Sequence, residues 1–256
     1  MAGMRAERQG VVGTLIIDNQ SRRNAMTSAM YAAVRGAVDE LLADHGIRVV
    51  VLRGAGDLAF GAGSDISEFP SRRMGADAAA FDAVEHDAWE AVEQIPLPVI
   101  AAIHGPCMGG GIAMALHCDV RIAADDATFA VPPARLGLAY PTHALARLVE
   151  LVGPSQAKLL LYSARVIDAH EALRIGLVQE VVPKDVLDDH VEKLSEEIAR
   201  LAPLSHRATR LSVDAITRPQ LAGAAAAARR ACYDSADYRE GVQAFLDKRH
   251  AVFEGR

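Results

Sequence analysis

Residues 105–119 read GPCMGGGIAMALHCD, with three consecutive glycines, Gly109 to Gly111, at the head of an apolar run. A glycine turn leaves no side chain between a ligand and the backbone. Amides at the start of a helix have no partner within it and carry partial positive charge. A second glycine-rich loop, GAGDLAFGAGSDI at 54–66, follows another apolar segment. One amide from Gly110 and one from Ser64 could converge on a single carbonyl oxygen. Such a donor pair stabilises an oxygen gaining negative charge by several kcal/mol, which suits acyl or enolate chemistry. Two other uses of glycine loops fit less well. GAGDLA has the GxGxxA spacing of a dinucleotide site, but FGAG follows where a helix must run. No GK[ST] closes either loop, so neither is a P-loop.

The flanking pattern sets both loops at strand ends. VVGTLIID (11–18), IRVVVLRG (47–54) and PVIAAI (98–103) read as strands, as do DVRIAAD (119–125), TFAV (128–131) and LVQEVV (177–182). Thr27 caps a helix over SAMYAAVRGAVDELLAD, and 74–95 has helical spacing, with Phe81, Val84, Ala88, Val92 and Ile95 on one side. IAMALH is a short buried helix, and from about 142 the chain is nearly all helix. Strands alternating with helices imply βαβ units and a largely parallel sheet. In such sheets sites lie in loops at the carboxyl ends of strands, where both glycine loops fall.

Composition narrows the function. The chain has 256 residues, 51% hydrophobic, with a formal charge of −6. That charge argues against a nucleic-acid partner. No apolar run reaches the roughly 18 residues of a membrane span. The first ten residues have no signal-peptide character. Cys107, Cys118 and Cys232 show no CxxC spacing, so neither a disulfide frame nor a zinc site is expected. The expectation is a soluble cytoplasmic protein.

FGAGSDISEF and PVIAAIHGPCMGGGIAMALHCDVRIAADDATFAVPPARLGL resemble the two signatures of the crotonase family, the enoyl-CoA hydratases and isomerases. The resemblance extends through SRRNAM (21–26), LVGPSQAKLLLYSARVIDAHEALRIGLVQEVVP (151–183) and EGVQAFLDKRHAVF (240–253), covering almost the whole chain in order. It implies an α/β fold, the crotonase-like (ClpP/crotonase) spiral of ββα units, with a helical C-terminal trimerisation region. The expected division is a core over 1–200 and a helical oligomerisation region over 201–256. It implies acyl-CoA thioester substrates, no separate cofactor because coenzyme A is part of the substrate, and a homotrimer or dimer of trimers. By resemblance, Ser64 and Gly110 supply the oxyanion amides. Ala62, Asp65, Ile66 and Ser67 line the coenzyme A site, Arg23 and Ala25 meet its phosphates and pantetheine, and Phe245 and Lys248 reach a neighbouring subunit's site.

The sequence departs from the family where the chemistry lies. Hydratases carry one glutamate two residues after the three glycines and another after the proline of the next loop. Here Ala113 and Pro133 stand instead, and neither moves a proton. Hydration needs a base for water and an acid for carbon, each worth about 10²–10⁴ in rate. Among the remaining groups, Tyr140 lies in LGLAYPTHAL, similar to an LG-x-x-Y segment of methylmalonyl-CoA decarboxylases, although those carry histidine at the position of Ser64. Glu85 and His86 read as solvated helix charges. His143 reads as a helix-start residue, and His104 and His117 as core groups, not metal ligands. The expected function is acyl-CoA processing through an enolate hole. The alternatives are a decarboxylase-like lyase using Tyr140 and a non-catalytic acyl-CoA binder.

Overall fold

The computed structural model describes residues 2–256. It divides into two compact units, residues 1–95 with 99–192, and residues 96–98 with 193–256. On sequence alone the boundary falls between residues 200 and 201; the units part at Glu192 and Lys193.

In the first unit the elements run β1 (Gly3–Gln9), β2 (Val12–Asp18), α1 (Ser28–Leu42), β3 (Val49–Gly54), α2 (Phe69–Arg72), α3 (Asp77–Glu93), β4 (Val99–Ile103), β5 (Pro106–Met108), α4 (Gly110–Leu116), β6 (Val120–Ala124) and β7 (Thr128–Ala130). They continue with α5 (Thr142–Ser163), β8 (Ile167–Asp168), α6 (Ala169–Arg174) and β9 (Glu180–Val182). A larger sheet has the order β1-β2-β3-β4-β6-β9 and a smaller one the order β5-β7-β8. β2, β3, β4, β6 and β9 are mutually parallel; β1 is antiparallel to β2.

The connectivity repeats. β4 enters the large sheet, β5 the small sheet, and α4 follows; β6, β7 and α5 do the same. One turn earlier, β3 is followed by a single bridge from Gly61 to Cys107 of β5, and then by the helices α2 and α3. Each exit from the second strand of a unit therefore opens on the same side, through Gly61–Ser64, Met108–Gly110 and Ala130–Pro133. β3 and β4 are buried almost throughout, as parallel strands covered on both faces must be.

Three strands differ from the sequence expectation. β1 is charged and mostly exposed; Arg5 pairs with Glu7 at 2.6 Å and with Asp18 at 3.0 Å, so it carries no apolar alternation. Such charge blunts an edge strand. β5 and β8 have three and two residues, too short for a periodicity. The helix expected over 74–95 is Asp77–Glu93, preceded by the separate turn α2. α5 breaks where Gly153 takes φ 75° before Pro154, dividing HALARLVELV from PSQAKLLLYSA.

α7 (Leu187–Ala199) leads into the second unit, which holds α8 (Pro203–Thr217), α9 (Ala222–Asp234) and α10 (Ala236–Leu246). Ser235 caps α10 by accepting from the Tyr238 amide at 2.9 Å. The buried Asp237 carboxylate accepts from the amides of Glu254 and Gly255 at 2.8 and 2.9 Å, tying down the chain end. Among the described residues no helix is long and apolar enough to cross a membrane.

Candidate active site

The three loop exits line a cleft whose wall includes Ala62, Ser64, Ile66, Met108, Gly110, Pro133 and Tyr140. Gly109 turns the chain with φ 47°. A Cβ on Gly110 would strike the Tyr31 hydroxyl, and one on Gly111 would lie 2.5 Å from the Gly61 carbonyl oxygen. The first glycine thus makes the turn, while the other two let three segments close to backbone contact. The Gly109 amide donates to Ala130 O at 2.9 Å, and the amides of Met26 and Asp65 exchange bonds with Gly63 O and Met26 O at 2.8 Å. Among the described residues, the amides of Ser64 and Gly110 have no backbone or side-chain partner. A Cβ on Gly110 would lie 3.3 Å from the Ser64 nitrogen, so the two amides are close neighbours.

The cleft also contains Glu85, Arg73 and Trp89. Glu85 is 2% exposed, which corrects its reading as a solvated helix charge. Its place explains this: Phe81 is one helical turn before it and Trp89 one turn after, so the carboxylate sits within the apolar stripe of α3. Ser64 Oγ donates to Glu85 Oε1 at 2.5 Å. Tyr31 lies 3.1 Å from the same Oγ and, since the serine proton is committed to Glu85, donates to it. Arg73 completes the pair, donating to Glu85 Oε2 at 3.0 Å and to Asp82 at 3.0 Å. Its guanidinium lies over the rings of Phe69 and Phe81, 5.1 and 4.7 Å from their centroids. Burial raises the Glu85 pKa above the usual carboxylate value, although Arg73 and the Ser64 hydroxyl pull it down. Burial, then the Glu85 charge, raise Tyr31 well above a normal phenol.

Tyr140 also lines the cleft, but its hydroxyl donates to the Gly109 carbonyl at 3.0 Å. Burial raises its pKa, again with Glu85 second, so it stays protonated and braces the glycine turn. Ala113 is fully buried in α4, and its carbonyl accepts from His117 Nδ1 at 2.7 Å. His86 is exposed, and Asp119 is structural, accepting from the Val99 amide at 2.8 Å. Met108 joins the cleft wall, while Met114 is buried in the core.

The residues expected at the coenzyme A site divide between the units. Ala62 and Ile66 are exposed on the cleft wall. Asp65 accepts from the Ser67 amide at 3.0 Å and its hydroxyl at 2.7 Å, and pairs with Arg22 at 3.1 Å. Burial would raise Asp65, but the Ser67 bonds and Arg22 prevail and its pKa is lowered. The exposed Arg23 supplies its carbonyl to the Ala62 amide at 2.9 Å, and the Ala25 carbonyl accepts from Asn19 at 2.7 Å. Phe245 and Lys248 belong to the second unit; Phe245 is 83% exposed.

This geometry coincides with a family match. The enoyl-CoA hydratase/isomerase family model matches residues 7–256, and the chain belongs to that family. It is 34% identical over 250 residues to a crotonyl-CoA hydratase of Syntrophomonas wolfei, covering 96% of each chain. It is 31% identical to a short-chain-enoyl-CoA hydratase of Clostridium acetobutylicum, covering 95% of this chain and 94% of that one. A crystal structure of an enoyl-CoA hydratase/carnithine racemase from Magnetospirillum magneticum superposes with a TM-score of 0.95 at 35% identity, covering 100% of this chain and 97% of the other. The fold is therefore the crotonase fold, as the strand repeat already indicated.

Proposed function

We propose that this protein is an acyl-CoA enzyme that holds the thioester carbonyl on the Ser64 and Gly110 amides and moves a proton at the adjacent carbon with Glu85. The observation that carries this reading is one cleft containing two unpartnered amides and a buried carboxylate joined to the same serine. Negative charge built on the thioester oxygen would be stabilised by the amides, by several kcal/mol. Glu85 would take the proton from carbon. Arg73 would hold Glu85 in place and balance its charge, while the Tyr31–Ser64 chain would orient its Oε1. Tyr140 would act on the Gly109 turn and so on the aim of the Gly110 amide. The residues around 23–25 and 62–67 would take the coenzyme A portion.

One proton-carrying carboxyl group suits a reaction that moves a proton between carbons, as in isomerisation. Hydration asks for two groups. With Ala113 and Pro133 at the family's glutamate positions, we propose that hydration, the activity in the relatives' names, is slow here. The exposed Phe245, Ile216, Leu246 and Tyr238 of the second unit support a self-associating, trimeric assembly. Three free thiols fit the reducing cytosol proposed as its compartment.

The test is a set of saturated, 2-enoyl, 3-enoyl and malonyl-type CoA thioesters, each followed for turnover and for thermal shift. Binding with isomerase or other enolate turnover, and weak crotonyl-CoA hydration, is expected. Crotonyl-CoA hydration at or above about 10 s⁻¹, or thermal stabilisation without turnover of any thioester, would overturn the reading.

A further inference from the structure

We propose that Glu93, His117 and His143 form a binding site for one divalent transition-metal ion of the zinc class, apart from the thioester chemistry and not dependent on it. The three side chains come from three helices: Glu93 ends α3, His117 is the C-cap of α4, and His143 lies in the first turn of α5. Glu93 Oε2 is 3.2 Å from His143 Nε2 and 3.9 Å from His117 Nε2. One ligand atom from each residue lies within 4.8 Å of the others.

His117 is the informative member. It is 1% exposed, and its Nδ1 meets only an acceptor, the Ala113 carbonyl, so that nitrogen carries the proton. Nε2 then presents a bare lone pair, buried and without a hydrogen-bond partner. It faces the Glu93 carboxylate, whose Oε2 lies 3.9 Å away. A histidine whose far nitrogen is fixed by a backbone carbonyl is the usual arrangement of a metal ligand. Trp89 stacks on His117 at 5.9 Å and 13°, holding the ring in place.

Zinc bonds of ~2.0–2.1 Å set ligand atoms about 3.3 Å apart in a tetrahedron. The Glu93–His143 pair is already at that spacing, the Glu93–His117 pair must draw in by about half an ångström, and the two histidine nitrogens, within 4.8 Å of each other, must close by up to about 1.5 Å. His143, with its side chain 34% exposed, has the freedom to tilt out of its near-parallel stack with His117. Two imidazoles and a carboxylate select zinc, cobalt or nickel over magnesium and calcium, which prefer all-oxygen sites. The carboxyl end of α4 also favours a cation. Arg147 shares that end through the Leu116 carbonyl at 3.4 Å, its charge offset by Glu150 at 2.6 Å.

The experiment uses the untagged full-length protein, stripped with chelator and titrated with Zn²⁺ by calorimetry and with Co²⁺ by visible spectroscopy. One zinc per chain is expected, with micromolar or tighter affinity, four-coordinate Co²⁺ bands, and no response to Mg²⁺. His143→Ala and Glu93→Gln should each weaken zinc at least tenfold, while His190→Ala, at a surface His–Glu pair, should not. Absence of zinc binding at ~0.1 mM, Co²⁺ bands of the hexa-aqua ion alone, or affinity unchanged in folded His143→Ala and Glu93→Gln proteins would overturn the site. The wild-type cobalt spectrum decides the question even if a variant fails to fold.

Discussion

Glu85 combines a charge, a buried position and a hydrogen bond from Ser64 on the cleft wall. On sequence it was hidden, because an acid beside a histidine on a helix resembles a solvated face. Its spacing of four from both Phe81 and Trp89 was the available signal. Ser64 and Gly110 stood out because of the two glycine loops, and the structure sets their amides side by side on the cleft wall. Arg73 and Tyr31 did not stand out, since only the fold brings α1 and the turn after α2 against α3. The carboxylate must be ionised to accept a proton, and burial raises its pKa above the usual 4.5. Turnover should therefore fall as pH drops through a value above 4.5, measured as kcat/KM against pH. Glu85→Gln should cut kcat by about 10²–10⁴ and abolish that acid limb. The stability sign is opposite. The folded state holds this proton more tightly, so Glu85 contributes stability at low pH that is lost as pH rises from 4.5 through the raised value, which urea unfolding at several pH values would reveal. Tyr140→Phe removes only the brace on Gly109. It should lower kcat without moving the acid limb; a displaced limb would show that the tyrosine itself titrates in the reaction.

At the level of elements, the repeat of large-sheet strand, small-sheet strand and helix delivers three loops to one cleft. β2, β3 and β4 were legible because parallel strands covered on both faces read as continuous apolar runs. β1, β5 and β8 were not, one being a charged edge and the others too short for any pattern. The α4 turn is the most constrained element. Gly110→Ala should displace Tyr31 or Ser64 and misplace one of the two proposed oxyanion donors, lowering kcat by about 10²–10³ in thioester assays. Asn24, 1% exposed, locks the SRRNAM loop to the second glycine loop. It donates to Ala55 O and Ala59 O at 3.0 and 2.7 Å and accepts from the Asn19 amide at 2.9 Å. It also has φ 57°, which asparagine tolerates better than alanine. Asn24→Ala leaves buried groups unpaired and should cost about 3 kcal/mol, a fall in Tm of roughly 6–12 °C by differential scanning calorimetry.

For the whole molecule, a helical C-terminal region was legible from composition, but its boundary was not, because α7 carries the same helical pattern on both sides of Glu192. Its exposed apolar residues predict self-association: light scattering should give a mass in multiples of three chains of 27.2 kDa, and a monomer at micromolar concentration would contradict this. On the proposed chemistry, charge builds on a thioester oxygen while Glu85 holds the proton from the neighbouring carbon. This is tested most directly by exchange of the α-protons of butyryl-CoA in D₂O, followed by proton NMR. Wild-type protein should wash out the α-proton signal well above the buffer rate, with exchange reduced at least about 100-fold in Glu85→Gln while the thioester still binds. Binding with exchange at the buffer rate, or exchange undiminished in Glu85→Gln, would contradict the account.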